Sequence, residues 1–399
     1  MSLSINKRER QTKIALLTGG KDPHYALGLL SGLISHDIHI DFIGNNEMQK
    51  DELVRKQNVT YYNLRGDQDP FASITEKVIR VLKYYVNLLK YAAQSDSQLF
   101  HILWLNKFIF FDGTVLNAYY KLLGKKLVFT AHNINSRERD ENDHLLNRLF
   151  LTCMYRLVDQ IFVHTEKMKS QLIEDYGVSQ NKISTIPFGI NNIIPKSGLT
   201  KSEARKQLNL SEKDKIILFF GNIAPYKGLE YLVEAFVHIR KQIDGVKLII
   251  AGQIKNCEPY WVHVQRVIND HDLREHIVAR IELIPDNEVE IYFKSADVLV
   301  LPYRHIFQSG VAFLAYNFGL PIVATDVGSL KEEIIEGKTG YVCRPDDPDD
   351  LADKVNNYFN SDLFRNLEVE RDIIIKYANE KYSWGNIGEI TYSIYNKLL

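Results

Sequence analysis

Leu301-Pro302-Tyr303-Arg304-His305-Ile306-Phe307-Gln308-Ser309-Gly310-Val311, followed by Phe318-Gly319-Leu320-Pro321-Ile322-Val323-Ala324-Thr325-Asp326-Val327-Gly328, is the stretch that decides the fold. The largely apolar run 296–301 reads as a strand buried on both faces, continuous rather than alternating. Pro302 stops it, and a polar loop with Arg304, Gln308, Ser309 and Gly310 follows. Residues 311–318 form a short apolar helix, ended by Gly319-Leu320-Pro321, and 322–325 make the next strand. A glycine-bearing loop thus leaves the C-terminal end of a parallel strand and opens a helix. Free N–H groups and the helix dipole make such a place an anion site, and an arginine alongside suits a diphosphate. Alone, the same pattern is an ordinary βα connection; the rest of the chain gives it weight.

A chain of 399 residues with 45% apolar residues is long enough for two domains with separate cores. The net charge of −1 argues against a nucleic-acid partner. Cys153, Cys257 and Cys343 are scattered without metal spacing, which fits free thiols in a reducing compartment. The charged start, Lys7-Arg8-Glu9-Arg10, runs directly into a strand, and no apolar 18-mer follows. The expectation is a cytoplasmic protein, peripheral at most to the inner membrane face. The 22 tyrosines suit sugar stacking or a tyrosine-rich core equally.

Working outward, residues 13–18 read as a strand, Gly19-Gly20 as a turn and 25–35 as a helix, the opening of a doubly wound domain. The spacing is not GxGxxG, so a dinucleotide fold is poorly supported, although a diglycine turn lets a ligand approach the backbone. Residues 38–43 and 59–64 are further strands. The segment Ile74–Ala93 is a helix whose apolar positions (Ile74, Val78, Val81, Leu82, Tyr85, Leu88, Leu89, Ala92) recur at helical spacing, with Lys77, Arg80, Lys83 and Lys90 elsewhere on the wheel. It either packs its apolar face inward under a solvated basic face or lies on an anionic membrane. Strands at 99–105 and 127–130 follow. The second delivers His132, the best catalytic-type residue of this half, ahead of a densely charged loop at 136–144. Strands at 160–164 and 183–186 complete the first half, and Pro187 to Leu199 reads as a linker.

The alternation restarts with a strand at 216–220, ending in Gly221-Asn222 and reaching Lys227-Gly228, a position suited to a phosphate-binding cation. Strands at 246–251 and 278–283 follow, then the stretch quoted above. Gly328 to Glu333 opens one more helix, 337–342 reads as a hairpin turn, and the remainder is helical. Lys227, Arg304, the Gln308–Ser309–Gly310–Val311 backbone and Glu332 all fall at strand ends of one sheet; Gly19, Gly20 and His132 fall at the matching edge of the other. The expected fold is α/β, two doubly wound Rossmann-like domains facing across a cleft: 1–192 on the acceptor side, 193–380 for the nucleotide sugar, and a closing helix at 381–399 crossing back to the first domain.

With Gly19-Gly20 early, His132 midway, Ile186-Pro187-Phe188-Gly189-Ile190 at the crossover, Gly221 to Gly228 at the restart and the run Gly319 to Gly328, the chain resembles the GT-B fold glycosyltransferases of family 4, a retaining group. The resemblance implies that the donor-side residues are Gly19, Gly20, Asn222, Gln308, Ser309, Gly310, Val311 and Glu332, and the catalytic ones His132, Arg304 and Lys227. It implies no metal and no cofactor beyond a nucleotide-diphosphate sugar as co-substrate, with a glycan or lipid-linked acceptor as partner. The chain departs from the family at three places. Asn222 stands where an arginine is usual, and Ile306 and Leu314 stand where a pair of glutamates seven residues apart is usual, which places it with a branch lacking that pair. The implied activity is hexosyl transfer with retention in cell-surface glycan synthesis. The alternative is an inactive GT-B protein that binds a nucleotide sugar or glycan within an assembly complex. Asp-X-Asp patterns at Asp67–Asp69, Asp270–Asp272 and Asp347–Asp349 read as solvated turns.

Overall fold

The computed structural model describes residues 12–399 apart from 70, 107, 136–143, 191–193 and 256. The charged start at 7–10, most of the charged loop at 136–144 and part of the linker therefore lie outside the described residues. The chain divides into two compact units, Met1–Gly189 with Trp384–Leu399, and Ile190–Ser383.

The first unit holds a seven-stranded sheet: β1 (Thr12–Leu17), β2 (Ile38–Gly44), β3 (Val59–Asn63), β4 (Leu99–Ile102), β5 (Lys126–Thr130), β6 (Gln160–Val163) and β7 (Ile183–Thr185). Their order is β3-β2-β1-β4-β5-β6-β7, every pairing parallel. Parallel strands need crossovers that cover both faces, so their residues are apolar without alternation; Ile14, Ala15 and Leu16 are fully buried. The strand order reverses between β1 and β4, and loops leaving the C-terminal ends at such a switch point form the natural binding crevice of an open sheet. The helix Pro23–Leu33 starts at Asp22, whose carboxylate accepts from the Tyr25 N–H at 3.1 Å. Its glycine face at Gly28 and Gly32 meets Trp384, at the start of the closing helix Trp384–Leu398. A Cβ on Gly32 would come within 2.0 Å of the Trp384 carbonyl oxygen. That close approach explains why the last helix belongs to the first unit.

The second unit repeats the plan with β8 (Lys215–Phe220), β9 (Val246–Ala251), β10 (Ile277–Arg280), β11 (Val298–Leu301), β12 (Ile322–Thr325) and β13 (Gly340–Cys343), in the order β10-β9-β8-β11-β12-β13. The switch point falls between β8 and β11. The helix Lys201–Gln207 is tied to this sheet by the buried Arg205–Asp297 pair at 2.9 Å, Asp297 also accepting from the Ile216 N–H at 2.8 Å. The hairpin expected at 337–342 is instead a turn leading into β13, which pairs parallel with β12 from Ile322–Gly340 to Thr325–Cys343. The segment after Gly328 makes only the single turn Leu330–Glu333.

The helix Ile74–Gln94 corrects the inward face read from the sequence. It buries Tyr84, Tyr85, Leu88, Tyr91 and Ala92, but leaves Ile74 81% exposed and Val78, Ile79, Leu82 and Val86 about half exposed. The true inward stripe is tyrosine-rich, and the tyrosines displace the aliphatic residues to the outer face. Among the described residues no helix is long and apolar enough to cross a membrane.

Candidate functional site

At the switch point of the first unit, Gly19 and Gly20 both adopt left-handed backbone, φ 62° and 69°. The Gly20 N–H donates to the Thr18 hydroxyl, which closes the turn. The space a side chain on Gly20 would need is already filled by Arg65 and Gln68, whose amide donates to the Gly20 carbonyl at 2.9 Å. The diglycine therefore serves its own chain's tight turn first, rather than leaving bare backbone for a ligand.

His132 leaves the C-terminal end of β5 and is held between two aromatic residues the sequence reading did not single out. Trp104, from the loop after β4, stacks on the imidazole at 4.3 Å with the planes 9° apart, and Tyr25 meets it edge-on at 4.6 Å. His164, at the end of β6, lies 3.2 Å from His132 Nδ1 through its Nε2. The tautomers follow from that geometry. The Ile186 carbonyl can only accept, so His164 Nδ1 at 3.2 Å donates to it. Burial holds the His164 pKa down to about 4, so the ring is neutral and its Nε2 is an acceptor. His132 Nδ1 then carries the proton, and its Nε2 is buried with no hydrogen bond, while the Leu103 backbone lies against the ring and opposes the fall in its pKa. Burial, then the neighbouring His164 and His101, keep His132 well below the usual histidine range. The residue is a neutral imidazole rather than a charge. His101, buried between the Thr130 and Tyr395 hydroxyls and held down to about 3 by desolvation, is a structural member of the same core.

At the switch point of the second unit, the loop after β8 places Lys227 under the exit of β11. Gly228 makes this possible. It has φ 61°, and a Cβ there would stand 2.0 Å from the Pro302 carbonyl oxygen, so only glycine lets the two loops lie together. The result is a lysine only 7% exposed. Its ammonium donates to the Tyr303 hydroxyl at 3.2 Å, sits 4.9 Å from that ring's centre and lies 3.2 Å from where a Cβ on Gly221 would stand. No carboxylate among the described residues pairs with it. Buried cations usually have an anionic partner, because desolvation is costly without one.

Beside it starts the helix Gly310–Asn317, whose N-terminus no side chain caps. Gly310 is exposed with open space where a Cβ would lie. The Ser309 hydroxyl donates to the Tyr303 hydroxyl at 3.5 Å, and both polar atoms of the Gln308 amide are buried with no partner. Lys227, Ser309, Gly310 and Val311 are thus brought together, as the sequence placed them; Tyr303, which links them, was missed because a tyrosine after a strand carries no motif.

Three candidates sit differently from that group. Asn222 accepts from the Gln253 amide at 3.3 Å. Arg304 is not an unpaired cation: its Nε donates to Asp346 at 2.9 Å and its guanidinium lies over the Tyr231 ring, with the side chain 40% exposed. Glu332 is exposed, and its neighbour Glu333 is the buried carboxylate, hydrogen-bonded by the Tyr382 phenol and raised in pKa by desolvation. Glu333 ties Tyr382 to its own unit and serves packing.

Two open parallel sheets with these loop sites define a two-domain α/β protein of GT-B fold. A sucrose-phosphate synthase from Thermosynechococcus elongatus superposes with a TM-score of 0.74 at 19% identity, over 97% of this chain and 99% of its own. Anabaena HepE, solved with UDP, does so with 0.73 at 15%, over 97% and 100%. The family model described as Glycosyl transferases group 1 matches residues 200–381, and that described as Glycosyltransferase Family 4 matches 24–192. The chain belongs to the GT-B, family 4-like glycosyltransferase family. Its curated relatives include an uncharacterized glycosyltransferase of Methanocaldococcus jannaschii, 28% identical over 239 residues, and the D-inositol 3-phosphate glycosyltransferase of Paenarthrobacter aurescens, 28% over 252. These matches take in 59% and 61% of this chain and 59% of each relative's length.

Proposed function

We propose that the chain moves a hexose, with retention and without a metal or added cofactor, from a nucleotide-diphosphate sugar to a glycan or lipid-linked acceptor in cell-surface glycan synthesis. The observation that carries this is Lys227: a buried ammonium with only a phenol for partner, beside an uncapped helix N-terminus. Breaking the anomeric C–O bond leaves negative charge on the diphosphate, and positioned charges and dipoles stabilise it most where water is excluded. Lys227 and the N–H groups of Gly310 and Val311 serve that leaving group, and Arg304 serves as an outer cation. With Ile306 and Leu314 in place of carboxylates, the proton of the acceptor hydroxyl passes to the departing phosphate oxygen as the new C–O bond forms on the same face. His132 touches the donor sugar and orients it. In the second reading, Ile306 and Leu314 mark a binding protein that holds the nucleotide sugar without turnover.

The test is a thermal-shift panel with UDP, GDP, ADP and dTDP and their sugars. UDP comes first because HepE is solved with UDP and with UDP-glucose. A ligand of the native state raises the melting temperature with its saturation. A shift with one diphosphate that is lost in Lys227→Ala supports the site; no shift with any of them, or an equal shift in the variant, sinks it. Binding with no sugar released to water or acceptor would select the second reading, and the anomer of any product, read by NMR, decides retention.

The outer face of Ile74–Gln94 extends the proposal to an anionic membrane surface at the inner face. Exposed Phe71, Ile74, Val78, Leu82 and Val86 are interspersed with exposed Lys83 and Lys90, and the helix carries no carboxylate after Glu76. Co-sedimentation with phosphatidylglycerol vesicles should fall several-fold in Lys83→Gln/Lys90→Gln; unchanged binding returns the helix to a solvent face.

A further inference from the structure

Away from the His132 cage, the same edge of the first sheet holds an arginine that no acid answers. Arg65 lies two residues beyond β3, where its backbone N–H donates to the Gly44 carbonyl at the exit of β2 at 3.2 Å. Gly20 makes room for it: a Cβ there would stand 2.8 Å from Arg65 Cγ. The guanidinium is laid over the Tyr84 ring, 4.7 Å from its centre. Among the described residues the guanidinium makes no hydrogen bond and no ion pair, and its Nη1 is buried. A part-buried cation with only a ring beneath it keeps its charge uncompensated, and desolvation without an anion is costly.

Arg65 lines a pocket of about 220 Å³ with Asp67, Gln68, Asp69, Lys77, Arg80 and Val81, all in the first unit. The other polar groups there are spent on the loop itself. Asp67 Oδ1 accepts from the Asp69 N–H at 2.7 Å, and Asp69 Oδ1 from the Phe71 N–H at 2.8 Å, two side-chain-closed turns in succession. Arg80 holds the same loop: its Nη1 donates to Asp67 Oδ2 and to the Asp67 carbonyl, and its Nη2 to the Asp69 carbonyl, each at 3.1 Å. The Gln68 amide is on the Gly20 carbonyl. Three basic side chains and two carboxylates line the space, one positive charge in excess. Arg80 answers Asp67; the cation left without an acid is Arg65.

We propose that this pocket is an anion site for a phosphate ester carried by the acceptor. That the ligand is the acceptor rests on the glycosyl-transfer reading; that the pocket takes a phosphate does not. A planar guanidinium offers a fork of N–H donors matched to phosphate oxygens. A phosphate monoester brings about two negative charges and three acceptor oxygens, more than a carboxylate offers. That suits basic side chains arriving from two elements, the loop after β3 and the first turns of the helix Ile74–Gln94. The pocket adjoins the Gly19-Gly20 turn at the C-terminal edge of the sheet, where open α/β sheets bind their ligands.

The experiment titrates inorganic phosphate and glycerol 1-phosphate, by phosphorus NMR at constant ionic strength, into the full chain carrying Lys227→Ala, which takes the donor site out of play. Binding of both is expected, weakened about tenfold by adding Arg65→Gln, which keeps the stem against Gly20 and Tyr84 but not the charge. Arg65→Lys, which restores the charge without the fork, should recover part of the loss. Lys56→Gln, exposed and outside the pocket lining, should change nothing. No binding overturns the proposal. So does equal binding in Arg65→Gln, which would leave Arg65 as a cover for Tyr84, and so does acetate competing as well as phosphate. Equal loss in Lys56→Gln overturns it in favour of diffuse surface charge. Phosphatidylcholine vesicles containing phosphatidic acid separate two sources of the same chemistry: Arg65-dependent binding to them assigns a lipid head, and phosphate binding without it assigns a soluble phosphorylated acceptor. UDP binding by the chain with Lys227 intact separates failure of this proposal from failure of the donor site.

Discussion

The two units have the same sheet plan and place their loops at the same kind of switch point, yet the chemistry there is opposite. In the first, two histidines, a tryptophan and a tyrosine are packed until no charge survives, and His132 is a neutral ring with its Nε2 buried and unbonded. In the second, a lysine is buried with no counter-charge beside helix N–H groups. One edge is a neutral aromatic cage and the other a buried positive charge. The sheets set where the loops emerge, and the loop residues decide what can be done there.

The largest test of that contrast is acid. His101 and His164 are buried neutral in the first unit, with pKa values of about 3 and about 4, whereas none of the described histidines of the second unit is buried. In the unfolded chain they titrate near 6.5. Below that pH the unfolded state binds protons that the folded state refuses, so stability is complete above pH 6.5 and is lost as pH falls towards 4. The slope is up to about 1.4 kcal/mol per pH unit for each histidine. Urea unfolding at pH 7.5, 6, 5 and 4.5 should show the first unit weakening ahead of the second, resolved by hydrogen exchange on β5–β6 against β8–β11. Equal weakening of both would break the comparison.

Next comes Lys227→Ala. If the buried ammonium meets developing charge on the leaving diphosphate, its loss should raise the barrier by about 2–4 kcal/mol, read as kcat/KM in a coupled diphosphate-release assay. Folding should not suffer, because a buried cation without a carboxylate contributes little to stability and its removal relieves desolvation. A variant with wild-type turnover would remove the anion site from the second unit.

The strands were legible because they are continuous apolar runs with glycine or proline at their exits, as at Ile216 to Gly221. Parallel pairing at the far edge was not, because Gly340-Tyr341-Val342-Cys343 is short, follows a turn and reads locally as a hairpin. Lys227, Ser309 and Gly310 could be placed by counting from a strand end. The cage around His132 could not: Tyr25 comes from the first turn of the helix Pro23–Leu33 and Trp104 and His164 from two separate loops, and only the register of β1, β4, β5 and β6 brings them together. The inward stripe of Ile74–Gln94 was misread in part because tyrosines and aliphatic residues compete for it, and side-chain packing, not hydropathy, decided between them. Arg304 was legible as a loop cation, but Asp346, which occupies it, lies far along the chain.

That pairing sets the smallest expected effect. The Arg304–Asp346 contact is half exposed, and exposed ion pairs contribute about 0–1 kcal/mol to stability. If the guanidinium stays on Asp346 when the donor binds, Arg304→Ala should change kcat/KM by only about 1 kcal/mol, well short of Lys227→Ala. If it swings to the diphosphate, binding must first break the pair, so Asp346→Ala should improve donor affinity while Arg304→Ala approaches the lysine variant. The two substitutions move in opposite directions in that case and are both nearly silent in the other. Measuring donor KM in both therefore decides whether the second unit meets the diphosphate with one cation or with two.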